Sequence, residues 1–188
     1  MKGFLIGLAV IVLGLIMAGS YLFGVKNDLV REQNDIQGKW AQVDNDLKRR
    51  ADLIPNLVET VKGYAKQETT VFGDIAAARS RLLNAPTPQQ KIDANNQLSG
   101  ALGRLLVIQE NYPQLKSNEN FLRLQDELAG TENRIAISRR DYNDAITKYN
   151  TDIELFPKSF AASLFGFHRN DAYFKTTEQE KKVPSVKF

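Results

Sequence analysis

The sequence predicts an all-α protein: an N-terminal transmembrane helix, then an elongated antiparallel bundle of three long helices, the first kinked near Pro55, then a short C-terminal helix and an extended tail. Three observations carry this. The first residues hold an uncharged apolar run, apolar residues recur every seven positions over most of the remaining chain, and the breaks in that recurrence carry helix stop and start residues. The matching divisions are an anchor over 1–26, a long-helix bundle over 27–157 and an aromatic segment over 158–188 that packs on the bundle or extends from it.

The anchor is read from GFLIGLAVIVLGLIMAGSYLFGV, Gly3 to Val25, which is uncharged and flanked by Lys2 and Lys26. A helix needs roughly 20 such residues to cross the hydrocarbon core of a bilayer. The run is long for the apolar part of a cleaved signal peptide, and no Ala-x-Ala site follows it. The expected location is the cell membrane, with a single N-terminal span and lipids as partners. Lys26, Arg31 and Lys39 outnumber the cations before the run only slightly, so the flanking charge does not set which side the helical domain faces.

Beyond the anchor, Ile36, Val43, Leu57, Tyr64, Val71 and Ala78 share one heptad register, and Trp40, Leu47, Ile54, Val61, Ile75 and Leu82 share the other. Two interleaved sevens form a seam. With helix-favouring residues outside the seam, the pattern predicts one helix from about Lys26 to about Asn84, roughly 85 to 90 Å long at 1.5 Å per residue. Arg50 and Glu68 interrupt the seam, and a charge facing partner helices needs a counter-charge or a route to water. Pro55 lacks a backbone donor and its ring crowds the carbonyl four residues back, which predicts a kink or a restart near Leu53 to Asn56. Just before it, Lys48, Arg49, Arg50 and Asp52 form a cluster of mixed sign, either a self-paired helix face or a docking surface.

The stretch WAQVDNDLKRRADLIPNLVETVKGYAKQE, Trp40 to Glu68, resembles the signature of the LemA family, bacterial proteins with one N-terminal membrane helix followed by a long-helix bundle. The order of charged, proline and apolar residues makes the match specific. DAITKYNTDIELFP, ending at Pro157, and the closing PSVKF are similar to the family's third helix and C-terminus, so the resemblance covers nearly the whole chain. It implies the fold and the membrane location. It carries over no catalytic residue and no ligand.

NAPTP, from Asn84 to Pro88, stops one helix and starts another: Thr87 can cap, Pro88 suits the first helical position and Gln90 completes a capping box. The next stripe, Ile92, Leu98, Leu102, Leu105, Leu106 and Ile108, is expected on a helix antiparallel to the first and ending near Asn111. Tyr112-Pro113 then breaks the helix, and KSNEN supplies caps for the next. Phe121, Leu128, Ile135, Tyr142, Tyr149 and Phe156 follow at successive sevens, a core stripe that stops at Pro157. After it, Phe160, Leu164, Phe165, Phe167, Tyr173 and Phe174 crowd one short segment, with a brief helix expected from Phe160 to Phe165 and ended by Gly166. These aromatics either cap the bundle or meet a bilayer interface or a neighbour's groove. Val183, Val186 and Phe188 are expected to lie extended along the helices.

The 188 residues carry a net charge of +3 and no cysteine, which removes disulfides, thiolate nucleophiles and cysteine-ligated metals. His168 is the sole histidine, so a histidine-dependent triad or a zinc site has almost nothing to work with. No Walker-type loop is present, and Gly100-x-x-Gly103 is helix spacing. The 25 basic residues nearly balance the 22 acidic ones, which argues against a nucleic-acid partner. No catalytic, cofactor or metal residue is expected. The function expected is that of a membrane-anchored, non-enzymatic helical scaffold that self-assembles into a homo-oligomer. The alternative is an adaptor or sensor docking a membrane protease, chaperone or signalling protein through Lys48, Arg49, Arg50 and Asp52, with Phe165 and Phe167 of the aromatic tail.

Overall fold

A computed structural model of the protein describes residues 2–175, and the regular elements among them are all helical. They are α1 (Lys2–Lys62), α2 (Thr69–Asn84), α3 (Pro88–Ile108) followed by a single 3-10 turn, α4 (Pro113–Lys116), α5 (Glu119–Glu154) and α6 (Lys158–Phe165). The tail expected around Val183, Val186 and Phe188 lies outside the described residues. The chain forms two compact units. One takes residues up to Lys39 with Asp144–Asp171, and the other takes Trp40–Asn143 with the segment that begins at Ala172.

The larger unit corrects the expected helix count. The first helix does not break at Pro55 but runs through it, and the chain reverses instead at Gly63–Glu68. Gly63 follows the last helical residue, and the amides of Tyr64 and Ala65 both return to the Val61 carbonyl at 2.9 Å, closing the end of α1. Pro55 is tolerated because the carbonyl it leaves unbonded, that of Ala51, accepts from Arg79 Nε of α2 at 2.7 Å. The expected single helix is therefore two, α1 and α2. Asp74 pairs with Arg104 and Arg81 with Gln97, so α2 and α3 are antiparallel. Asp44 pairs with Lys91 and Arg50 with Asn95 and Ser99, so α3 runs parallel to α1 rather than antiparallel as expected. Trp40 meets Tyr142 and Arg50 meets Glu132, so α5 runs back against α1. The result is an up-down-up-down arrangement of four helices.

Its core is the predicted seam folded on itself. Val43, Leu47, Ile54, Leu57 and Val61 of α1 are buried with Ile75, Ala78 and Leu82 of α2, Ile92, Leu98, Leu102 and Leu105 of α3, and Phe121, Ile135 and Tyr142 of α5. Each fully buried leucine or isoleucine contributes about 1.5–3 kcal/mol relative to exposure. Tyr64, expected in the seam, is exposed in the reversal, and its hydroxyl meets Asn118 Nδ2 at 3.0 Å. Helix ends follow the sequence signals. The Thr87 hydroxyl accepts from Gln90 N at 3.3 Å, Pro88 opens α3, and Asn118 Oδ1 accepts from Phe121 N at 2.9 Å at the start of α5.

In the smaller unit, Val25, Leu29 and Ile36 of α1 are buried with Ile146 and Tyr149 of α5 and Ala161 and Ala162 of α6. Helix α5 stops at Glu154, so Phe156, expected as the last member of the core stripe, is outside the helix and 86% exposed. Helix α6 ends as expected at Gly166, whose φ of 73° is the left-handed conformation that glycine adopts without steric cost. Gly166 N bonds to Ser163 O and Phe167 N to Ala162 O at 2.9 Å, satisfying the last carbonyls of the helix.

Candidate functional site

Arg50 is a buried cation of the larger unit. It stands on the buried face of α1, one turn before Pro55, and only 7% of it is exposed. Its Nη1 donates to Asn95 Oδ1 and Ser99 Oγ of α3, each at 3.0 Å, and pairs with Glu132 of α5 at 3.0 Å. Burial holds its pKa below the usual arginine value; Glu132 opposes that shift and Arg139 adds to it. Asn95 is fully buried, and its Nδ2 has no hydrogen-bond partner among the described residues. Arg50 also lines a cleft of about 730 Å³ walled by α1, α3 and α5. Gly100, Gly103 and Ala129 open this cleft, Leu57, Leu102, Leu106 and Leu128 make it partly apolar, and Asp126 and Arg139 bring further charge. The centre can hold a cation out of water and fix three helices in register.

The expected docking cluster is therefore split. Lys48, Arg49 and Asp52 are exposed, but Arg50 faces inward and is removed from that surface, because its register position points to α3 and α5 and a buried guanidinium must be paired. Pro55 itself is exposed, at the place where Ala51 receives Arg79. Phe165 and Phe167 are both half-buried. Periodicity alone did not single out Asn95, yet its place in the stripe Ile92, Asn95, Ser99, Leu102 matches the break that Arg50 makes in the first seam. Two polar breaks in two apolar stripes were the available signal.

The smaller unit has its own polar set. Tyr149, buried, accepts from Gln33 Nε2 at 3.0 Å and donates its hydroxyl to the His168 carbonyl at 2.9 Å. Burial raises its pKa. Asn150 grips the main chain of Asn170 at both ends, donating to its carbonyl at 2.7 Å and accepting from its amide at 2.9 Å. In the larger unit, Asn143 holds Phe174 the same way, at 2.8 and 3.0 Å, and the Phe174 ring stacks on Trp40 with centroids 6.2 Å apart. Glu32 meets Lys148, and Asp152 meets Lys158 at 2.5 Å. Burial first, then Asp152, raises the Glu32 pKa. Burial works against the Asp152 carboxylate as well, but its hydrogen bonds with Lys158 and Glu32 hold it below its ordinary value. Among the described residues no group of three His, Cys, Asp or Glu is placed to hold a metal ion.

Together these features define a class: a protein helical throughout its described elements, whose first helix begins with an apolar run of bilayer-spanning length and goes on to contribute a buried arginine to a helical bundle. Residues 39–188 match the LemA family, and the chain belongs to that family. It is 28% identical over 159 residues to Protein LemA of Metamycoplasma hominis, covering 84% of this chain and 72% of that protein. It is 27% identical over 175 residues to Magnetosome protein MamQ 2 of Paramagnetospirillum magneticum, covering 79% of this chain and 64% of that protein. Identity is also 27% over 188 residues to Magnetosome protein MamQ of Magnetospirillum gryphiswaldense, covering 86% and 69%. None of these names is that of an enzyme.

Proposed function

We propose that this chain is a membrane-anchored, non-enzymatic helical scaffold that self-assembles at the bacterial membrane, with a single N-terminal span and lipids as its first partners. The observation that carries the reading is α1. One unbroken helix begins with an apolar stretch of which nothing is buried and ends by supplying core residues of the bundle. A helix surface of that composition is stable in hydrocarbon and costly in water. An anchor confines copies to a plane and raises their effective concentration, so weak contacts between bundles suffice for assembly. The test is light scattering on full-length protein extracted in detergent, with crosslinking in the native membrane. Multimers in both support the reading; a monomer at every concentration that also fails to crosslink overturns self-assembly.

A second reading is favoured by one observation. Lys48, Arg49 and Asp52 are exposed on α1 and have no side-chain partner among the described residues, while Asp44 and Arg50 on the same helix are paired. Unpaired surface charges suit an adaptor that docks a membrane protein. A stoichiometric partner lost on Lys48→Glu with Arg49→Glu, helicity unchanged, supports it; retention of that partner removes these residues from the interface.

A further inference from the structure

Helix α6 has two faces. Ala161 and Ala162 are buried, their small side chains letting the helix lie close on the unit, whereas Phe160 and Leu164, one turn apart, are 63% and 59% exposed. Leu155 and Phe156, in the turn that leads into α6, are exposed as well. Four large apolar side chains at one end of a folded unit are unusual unless something apolar covers them.

Their position says what covers them. Within this unit Glu32 pairs with Lys148 and Gln33 with Tyr149, and the charge of Asp28 reaches Lys158, so α1 descends towards its apolar run as α5 ascends towards α6. By the same spacing α5 ends, at Glu154, opposite the turn of α1 at Lys26, where the uncharged run ends, and Leu155 and Phe156 follow directly. The Phe165 ring fixes the end of α6 at the same level, lying 6.2 Å from the Phe23 ring and under Lys26 Nζ at 5.3 Å. The exposed face is thus continuous with the fully exposed apolar surface of α1. Lys26, at the same height, is suited to the headgroup layer.

We propose that α6, with Leu155 and Phe156, is a second membrane contact: a short amphipathic helix whose Phe160 and Leu164 face enters the bilayer interface beside the span. Such helices bury one apolar face in the boundary between headgroups and acyl chains while the other stays on the protein. The α6 contact fixes the tilt and rotation of the unit on the membrane, which a single span alone leaves free. The inference rests on the reading of α1 as a bilayer span.

The chain has no cysteine, so single labels are easily placed. Phe160→Cys, Leu164→Cys and Met17→Cys, each in the full chain, carry a nitroxide in vesicles of phosphatidylcholine with one-third phosphatidylglycerol. Collision with oxygen, which concentrates in lipid, is compared with collision with a water-soluble nickel chelate. The expected result is oxygen preference at all three positions, deepest at Met17 and shallow at Phe160 and Leu164. Oxygen preference at Met17 with nickel preference at Phe160 and Leu164 overturns the α6 contact and leaves the span intact. Nickel preference at Met17 overturns the span and the inference with it. Shielding from both reagents at Phe160, with dipolar broadening between labels, puts a second copy on the face and overturns the lipid contact.

Discussion

At the residue scale, Arg50 and Glu32 are opposite cases of buried charge. Arg50 has three oxygens around its Nη1, and removing it leaves Asn95 and Ser99 without their donor. Arg50→Ala is expected to cost about 2–3 kcal/mol in denaturant unfolding followed by circular dichroism. Glu132→Gln is expected to cost less, about 1 kcal/mol, because it keeps an oxygen for Arg50 and the side chain as a whole is 45% exposed, although the Oε2 that faces Arg50 is itself buried. Glu32 is instead burdened by its surroundings. Its pKa in the fold is raised above 4.5, so the stability tied to its neutral form is present below that value and lost as pH rises through the folded pKa. Glu32→Gln is therefore expected to stabilise the protein by up to about 1 kcal/mol at pH 7, with the gain fading below about pH 4. A pH series of unfolding midpoints checks it. The sequence disclosed the need of Arg50 for a partner, since a charge interrupts an apolar seam; it did not disclose Asn95, because asparagine is ordinary on any helix surface.

At the scale of elements, one turn is hidden by the periodicity itself. Val61, Glu68 and Ile75 keep seven-residue spacing across the reversal at Gly63–Glu68. Periodicity reports which face is buried and not which way the chain runs, so a hairpin whose turn preserves phase reads as one straight helix. Pro55 drew the expected kink or restart to itself because its chemistry is conspicuous, and the helix continues through it with Arg79 supplying the donor it removes. Pro55→Ala restores the Ala51 bond within α1 and should stabilise by about 1–2 kcal/mol. Arg79→Met should destabilise the parent by about 1–2 kcal/mol and the Pro55→Ala protein by less. A double-mutant cycle in urea measures that coupling. Capping was more legible: Thr87, Pro88, Asn118 and Gly166 all stand where their chemistry put them. Gly166→Ala meets no atom within 4 Å, so its expected cost of about 1 kcal/mol is purely that of a left-handed backbone, read as a lower melting temperature.

For the molecule as a whole, the sequence carried the helical class, the apolar run and the family, because each is written in composition and order. It did not carry the count of long helices, since that depended on one turn. Global stability should respond to alkali in a defined sense. Tyr142 is buried and its pKa is pushed up to about 12, above the ordinary 10.0. Stability from its neutral form is complete below pH 10.0 and is lost as pH rises towards about 12. Unfolding midpoints should fall over that window, and Tyr142→Phe should flatten the slope.

The bond from Arg79 to Ala51 has a further consequence for how the chain finds one arrangement among several. Leucine, isoleucine and alanine recurring every seven residues would accept α2 displaced by a heptad along α1 with much the same burial. A helix interior normally offers no free acceptor, so the carbonyl opened by Pro55 is a mark that does not repeat. A shifted α2 would strand both that oxygen and the guanidinium meant for it, and the proline thereby makes the slipped alternatives unequal to the native one.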